Sequence, residues 1–525
     1  MKNIQIKVAV VSLAIIIAGT IVSCEKKLDK TDPNAITVDK YFSTSTELQA
    51  ATNSIYSAMK GSALVAREWF FLHDLRGDEV NAGGSQLEVP RGQILAGNCD
   101  PSNPLVSSNW SSLYVMIHRA NTVIQNADKG KDNAALTAQS VGEAKFLRAW
   151  AYNELVTQWG AVPVYTHTVE GTSDFKPRAK VEDIYTLIIT DLTAAAAVLP
   201  AKSGYTAVDR GRATNAAANA LLGRVNMQKG DFAAAKAALL KIPSSGVDGY
   251  QLTDRYLDNF EEETEFNRES IFEVIFYDKG NTDFNWGSAA GDGAAANLST
   301  VRNQEYNGVA WRNLIPSDKY LNNFENTASC AVKTDPRLSF SVYQTGDLFN
   351  NNTQTLTDAQ QNGNTSTLAG VVKKISWRKF MLMYKENSSF HPGGNNQRIL
   401  RYGEVLLNLA ECEAETGNLA QAVADLNQLR DRPSVAMPHY PTVQYPTDSK
   451  INVLRAIIHE KESEMGCEEV RNIDILRWRK GGYFATEPLS YFKANRDELL
   501  PLPQQEIDNN PQLGAGGIIK QNPGY

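Results

Sequence analysis

The sequence is poor in cysteine, in histidine and in positive charge, and each scarcity excludes a class of function. Five cysteines among 525 residues (Cys24, Cys99, Cys330, Cys412, Cys467) are too few and too scattered to staple a disulfide scaffold. None forms a CxxC pair, so structural zinc is not expected. Whether Cys99, Cys330, Cys412 and Cys467 pair is left open, although Cys412 falls in a helical core pattern and reads as a buried free thiol. The six histidines (His73, His118, His167, His391, His439, His459) lie far apart. His459-Glu460 opens like a zinc-protease motif, but position 463 is Ser and the second histidine ligand is missing. There is no GxSxG elbow, phosphate loop or dinucleotide fingerprint, and Gly514 to Gly517 is only a glycine cluster. No metal, cofactor or enzymatic activity is therefore expected. With 52 Lys and Arg against 59 Asp and Glu the net charge is −7, which leaves no general excess for neutralising phosphates, and nucleic acid is not an expected partner.

What the N-terminus does hold is specific. Two lysines in Met1 to Lys7 precede a fifteen-residue apolar run, Val8 to Val22. A membrane-crossing helix needs about 20 residues, so this length fits a signal-peptide core. The run ends in Ile21-Val22-Ser23-Cys24, which resembles a bacterial lipobox. That resemblance implies a leader over 1–23, cleavage before Cys24 and lipid on its thiol and new amine. Several acyl chains anchor stably where one does not. Residues 24–45 then read as a lipidated start and polar tether.

From Thr46 onward the spacing is helical. Leu48, Ala51, Ile55, Tyr56 and Met59 recur at three and four, as do Trp110, Leu113, Tyr114, Ile117 and Ala120, and Phe146, Leu147, Trp150, Ala151 and Leu155. A further helix runs from Val181 to Leu199 and stops at Pro200. Two segments match each other 187 residues apart: Leu222-Gly223, Gly230-Asp231-Phe232, Ala235, Leu239 and Ile242 align with Leu409-Ala410, Gly417-Asn418-Leu419, Ala422, Leu426 and Leu429. Each reads as a helix, a glycine turn and a second helix, the tetratricopeptide pattern in miniature. Between them, 280–313 and 346–370 are rich in Gly, Asn, Thr and Ser, with short strand-like stretches at Ser270 to Phe276 and Leu338 to Tyr343. These loops carry Phe284, Trp286, Tyr306 and Trp311, aromatics that argue against disorder. The acidic runs Asp78-Glu79 and Glu261 to Glu263 read as solvated surface.

Several segments together resemble the SusD/RagB-like family, the surface nutrient-binding lipoproteins of Bacteroidetes polysaccharide-utilisation systems. They are Phe146-Leu147-Arg148-Ala149-Trp150-Ala151-Tyr152 with Gln158-Trp159-Gly160-Ala161-Val162-Pro163; Gly211-Arg212-Ala213-Thr214; Arg401-Tyr402-Gly403-Glu404-Val405-Leu406-Leu407 with Ala410-Glu411 and Leu426-Asn427-Gln428-Leu429-Arg430; Arg471, Asp474, Arg477 and Trp478; and the C-terminal Leu500-Pro501-Leu502-Pro503, Asn510-Pro511-Gln512-Leu513 and Gln521-Asn522-Pro523-Gly524-Tyr525. The chain departs from the family pattern at His459-Glu460-Lys461, where Glu-Arg-Arg is usual. It departs again at Glu468-Glu469, where Glu-Gly is frequent. A glycine there permits an unusual backbone angle, so a different local turn is expected.

The resemblance implies a mainly α fold: a tetratricopeptide-like helical-hairpin scaffold with a loop-rich, partly irregular ligand-binding face. It is expected as one unit over 46–525, with a helical part 46–242, a loop-rich part 243–397 and a helical part 398–525. Arg148, Arg401, Asp474 and Arg477 read as ion-paired helix glue, and Trp150, Trp159 and Trp478 as core. By resemblance of position the ligand segments are Asp78 to Asn81, the loop of Trp286, and Tyr306 to Trp311. Trp286 and Trp311 are expected to stack on sugar rings, Asp78, Asn81 and Asn307 to bond hydroxyls, and Tyr306 to join them. The implied function is capture of an oligosaccharide or polysaccharide at the cell surface and delivery to a SusC-type TonB-dependent transporter in the outer membrane. Peptide capture by the same architecture, a helical-repeat adaptor and a surface glycosidase are the alternatives.

Overall fold

The computed structural model describes residues 41–84, 87–277, 284, 298–329, 332–386 and 392–525. The expected leader, Cys24, Cys330 and Trp286 lie outside these residues. Helix takes 49% of the described residues and strand 8%, which bears out the mainly α expectation against an ordinary helix share of about a third.

Four long helices open the body: α1 (Ser45–Met59), α2 (Pro104–Gln125), α3 (Ala134–Trp159) and α4 (Val181–Val198). Each has a local reason to begin or stop. Thr44 and Glu47 form a reciprocal capping box on α1, and Asn103 and Asn133 accept the first free amides of α2 and α3. The α4 helix ends two residues before Pro200, as the sequence indicates.

The repeat read from the sequence is real and stacks on itself. The first hairpin is α5 (Asn215–Lys229) and α6 (Phe232–Leu239), and the second is α7 (Tyr402–Glu415) and α8 (Leu419–Arg430). Gly230 and Gly417 turn each hairpin at φ +88° and +92°, a region only glycine enters without strain. The next residue in each, Asp231 or Asn418, caps the second helix through its side chain. A Cβ at Gly223 would overlap the Leu239 side chain, so the small residue lets the two helices touch. Successive helices pack on one another from α2 to α6, and α6 then packs on α7, so the two hairpins form one array. Further on, α9 (Lys450–Met465) covers α7, and α10 (Arg471–Gly481) follows it.

The family-like C-terminal segment closes the array on its first half. Trp159 Nε1 donates to the Pro501 carbonyl at 3.0 Å, Leu500 N donates to Gln158 O at 2.7 Å, and Asn522 Nδ2 donates to Trp159 O at 2.9 Å. The arginines read as glue are glue. Arg148 holds Asp191 with two bonds of 2.8 Å, and Arg477 pairs with Asp474 at 2.7 Å and with Glu411. Trp150, Trp159 and Trp478 are fully buried.

Strands are short and occur in pairs. Besides a two-residue pair, Leu348–Phe349 with Gln354–Thr355, they are β1 (Val80–Ala82), β2 (Ser270–Val274), β3 (Leu314–Pro316), β4 (Val342–Gln344), β5 (Ser366–Leu368), β6 (Val371–Lys373), β7 (Ile375–Trp377) and β8 (Gln397–Arg401). The antiparallel pairs are β1 with β3, β2 with β8, β4 with β7, and β5 with β6. The strand expected from Leu338 is corrected: Arg337–Ser341 is a short helix and pairing starts at Val342. Its reason is Arg337, whose guanidinium must reach inward to buried carboxylates.

Those carboxylates explain how so irregular a middle region holds its shape. Glu460 and Glu464 lie one turn apart on α9, on the same face, and both are buried. Arg337 reaches Asp335 at 2.7 Å, Glu460 at 2.6 Å and Glu464 at 3.2 Å. Arg430 joins Glu325 and Glu460, Arg432 joins Glu269 and Glu464, and Arg401 joins Glu269, Glu464 and Glu468. Burial alone would raise the Glu460 carboxyl, yet Arg337 and Arg430 outweigh it and hold it down at about 2. Glu269 and Glu464 are likewise held low, against burial, chiefly by Arg432 and Arg401. At Glu468-Glu469 the second residue itself adopts φ +59°, and its carboxylate meets Arg302 at 2.5 Å.

Asp78 and Glu79, read as solvated, are buried. Burial pushes Glu79 up to about 8, with Arg471 and the Cys467 amide opposing. Cys99, Cys412 and Cys467 are buried free thiols, as read for Cys412.

Removing one member of a buried ionic network strands its partners, so Glu464→Gln is expected to cost about 3–5 kcal/mol in denaturant unfolding. The carboxyls held low contribute stability above the ordinary value of 4.5 and lose it as pH falls towards about 2. The melting temperature should therefore drop across that window. Glu79 acts with the opposite sign, favouring the fold below 4.5 and losing that contribution as pH rises through about 8. Glu79→Gln should flatten the stability curve between those two values.

Candidate functional site

The expected ligand residues separate sharply in the structure. Tyr306 is a core side chain: its hydroxyl donates to Asp74 at 2.9 Å and its ring meets Phe70 and Phe71 edge-on, each at 5.3 Å. Asn307 is fully buried, donating to Asn303 Oδ1 at 2.9 Å and accepting the Val309 amide at 2.9 Å. Asp78 receives Arg471 at 2.7 and 3.0 Å, together with Lys319. The expectation that these three meet ligand is corrected, because each already spends its polar atoms or its ring faces inside the protein. Trp286 lies outside the described residues. Asn81 is exposed and Trp311 half-buried.

Asn81 and Trp311 are brought onto one short seam. Asn81 pairs with Ile315 in the β1–β3 ladder, and the ladder continues irregularly. Gly83 N donates to Asn313 O at 2.9 Å and Gly84 N donates to Arg312 O at 2.5 Å. A third strand of chain closes the seam: Asn364 N donates to Gly83 O at 2.9 Å, and its side chain donates to Ala82 O at 3.0 Å. The approach depends on glycine. A Cβ at Gly83 would strike Arg312 O, one at Gly84 would strike Trp311 O, and one at Gly363 (φ +75°) would strike Gly83 O.

Arg312 locks the three segments from behind. Its fully buried guanidinium donates to Ser376 Oγ at 2.8 Å, Ile375 O at 2.7 Å and Asn364 O at 2.9 Å, and also to Asn362 O. No carboxylate pairs with it among the described residues, and burial lowers its pKa to about 10. Asn313 and Arg67 both hold Glu305, at 2.6 and 2.7 Å, which fixes the base of the Trp311 turn.

The outer surface of this seam is chemically simple. It presents the Trp311 ring with the exposed residues Asn81, Asn362, Asn364 and Thr365. An amide side chain donates and accepts, as a hydroxyl does, and an indole face suits an apolar C–H surface. Asn362, Gly363, Asn364 and Arg312 were not singled out in the sequence. The Asn-Gly-Asn run is a turn signal and lies in the Asn- and Gly-rich loop, whereas a lone arginine beside a tryptophan carries no signal.

Residues 268–525 match a family model described as the SusD family, and residues 92–227 match one described as starch-binding associating with outer membrane. A SusD-like protein of Formosa agariphila is 26% identical over 97% of this chain and 98% of its own length. A SusD superfamily protein of Bacteroides vulgatus superposes with a TM-score of 0.74 at 20% identity, covering 92% of this chain and all (100%) of that one. The surface glycan-binding protein A of Bacteroides thetaiotaomicron, in complex with laminarihexaose, superposes with a TM-score of 0.70 at 22% identity, covering 91% and 99%. A laminarin-binding SusD-like protein gives 0.72 at 24% identity, covering 91% and 99%. The array of hairpins, the C-terminal closure and these matches lead to one conclusion: the chain belongs to the SusD/RagB family.

Proposed function

We propose that this protein captures an oligosaccharide or polysaccharide at the cell surface. We further infer that it is anchored in the outer membrane through lipid on Cys24 and passes its ligand, unmodified, to a SusC-type TonB-dependent transporter. The observation that carries the binding reading is the seam just described, where a half-buried indole sits among exposed amides on backbone that cannot easily yield. Support also comes from the glycan ligands of two structural relatives and from the outer-membrane association in the second family description. No helix among the described residues is long and apolar enough to cross a membrane, which is compatible with attachment by lipid.

The magnitudes suit a protein that must let go. One sugar face on Trp311 buries about 60 Å², or roughly 1.5 kcal/mol at 25 cal/mol per Å². Hydroxyl bonds to Asn81 and Asn364 add about 0.5–1.5 kcal/mol each. After the cost of association, binding falls between roughly millimolar and micromolar.

Affinity electrophoresis of the full chain through gels holding single polysaccharides tests this reading. The wild type should be retarded by at least one neutral glycan, and Trp311→Ala should weaken that binding about tenfold, the equivalent of one lost stack. Retardation unchanged by Trp311→Ala would remove the seam from the binding surface. Arg312→Met should weaken binding indirectly and speed amide exchange at 364 and 83–84, leaving the α5–α8 hairpins as protected as before.

A further inference from the structure

A sizeable cavity opens at the other end of the same ladder. It measures about 600 Å³ and is lined by Tyr445, His459, Tyr483, Phe484, Arg471 and Lys319, among others. That volume lies within the range of about 300–1,000 Å³ typical of small-molecule sites. The connection to the seam is covalent and ionic. Asp78, two residues before β1, holds Lys319 and Arg471 of the cavity, while Gly84 at the far end bonds Arg312 beside Trp311. Trp311 and Lys319 are eight positions apart in sequence with β3 between them, about 26 Å of extended chain at about 3.3 Å per residue.

The lining has the character of a saccharide site. Tyr445 is half-buried and stacks on His459 with ring centroids 4.0 Å apart and an interplanar angle of 22°. The imidazole is fixed from beneath, Nδ1 with the Tyr440 hydroxyl at 2.7 Å and Nε2 with the Asn323 carbonyl at 3.1 Å. Burial lowers its pKa, with Glu460 opposing, so the ring brings no charge at neutral pH. Most of the charges around it are paired: Arg471 with Asp78 and Glu462, Lys319 with Asp78, and Glu487 with Arg479, while the exposed Arg455 at the rim meets the Asn452 side chain at 3.5 Å.

Two polar atoms at the floor are unspent. Glu462 Oε1 and Arg471 Nη1 are buried without a hydrogen-bond partner, on side chains that are 4% and 6% exposed. Glu462 and Arg471, an acceptor and a donor that meet at 3.1 Å in the lining beside the aromatic wall, match in chemistry the adjacent hydroxyls and apolar face of a pyranose.

We propose that this cavity is a second saccharide subsite, which takes a neutral sugar unit of the same glycan chain whose other end lies on Trp311. The inference rests on the glycan-binding reading above and deepens it: the protein would grip a chain of several sugars at two points, the indole of the seam and the tyrosine-lined cavity. Short oligosaccharides would occupy one point alone.

The test uses the full-length mature chain and a panel of neutral polysaccharides (laminarin, starch, xylan and mannan), then the disaccharide and hexasaccharide of whichever binds. Tyr483→Ala removes a wall, and Ala485→Trp fills the mouth from an exposed position without removing a packed side chain. Both should lower hexasaccharide affinity about fivefold in calorimetry, the worth of roughly one hydrogen bond or partial stack, while disaccharide affinity stays within about twofold of wild type. Hexasaccharide affinity unchanged in both variants, with Trp311→Ala still impaired, would overturn the subsite and leave the binding reading standing. A wild-type chain that binds none of the panel would defeat the glycan reading itself, and the subsite with it.

Discussion

Everything in this fold that is irregular is tied to one face of a helix. Glu460 and Glu464 on α9 receive Arg337, Arg401, Arg430 and Arg432, which come from three separate stretches of the middle and C-terminal chain. The segments between 253 and 401 do bury apolar side chains, among them Phe272, Tyr320, Phe324 and Trp377, but apolar contact is non-directional. Guanidinium groups supply the reach and the geometry, each satisfying two or three carboxylates in fixed directions. The desolvation cost of so many buried charges is large, and only complete pairing offsets it. Conformational definition is what this arrangement supplies: the loop region has few alternative ways to satisfy those charges.

That definition reaches the ligand surface by a traceable route. Arg302 links Glu469 and Gln397 to the segment that carries Tyr306, and Glu305 in that segment holds Arg67 and Asn313. From there the Gly83–Gly84–Gly363 seam and the Arg312 guanidinium place Trp311 and its amide neighbours. If this surface binds a glycan as proposed, one held this firmly pays little ordering cost on binding.

The sequence made the scaffold legible for a physical reason: glycine at φ near +90° and an Asp or Asn cap are local requirements, and local requirements leave local signatures. Gly230-Asp231 and Gly417-Asn418 could be read without any tertiary knowledge. The ligand surface was half legible. Asn81 is exposed and Trp311 half-buried, whereas Tyr306 and Asp78 turn inward because their partners (Asp74 and Arg471) come from elsewhere in the chain, and Asn307 is held by Asn303 one helical turn away. Nothing near Asp78 announces an arginine almost four hundred residues later. Arg337–Ser341 was misread as strand for the same reason, since its inward arginine answers to α9 rather than to its neighbours. Arg312 and Asn364 escaped notice because their task is to bind backbone, which any sequence offers.

The most direct test of this account is a pair of crystal structures, free and with a bound oligosaccharide. The account predicts a pyranose ring against the Trp311 indole, hydroxyls on Asn81 or Asn364, and backbone at 81–84, 311–313 and 362–364 displaced by less than about 1 Å. A ligand bound without touching that seam, or a seam that rebuilds itself to receive one, would contradict it.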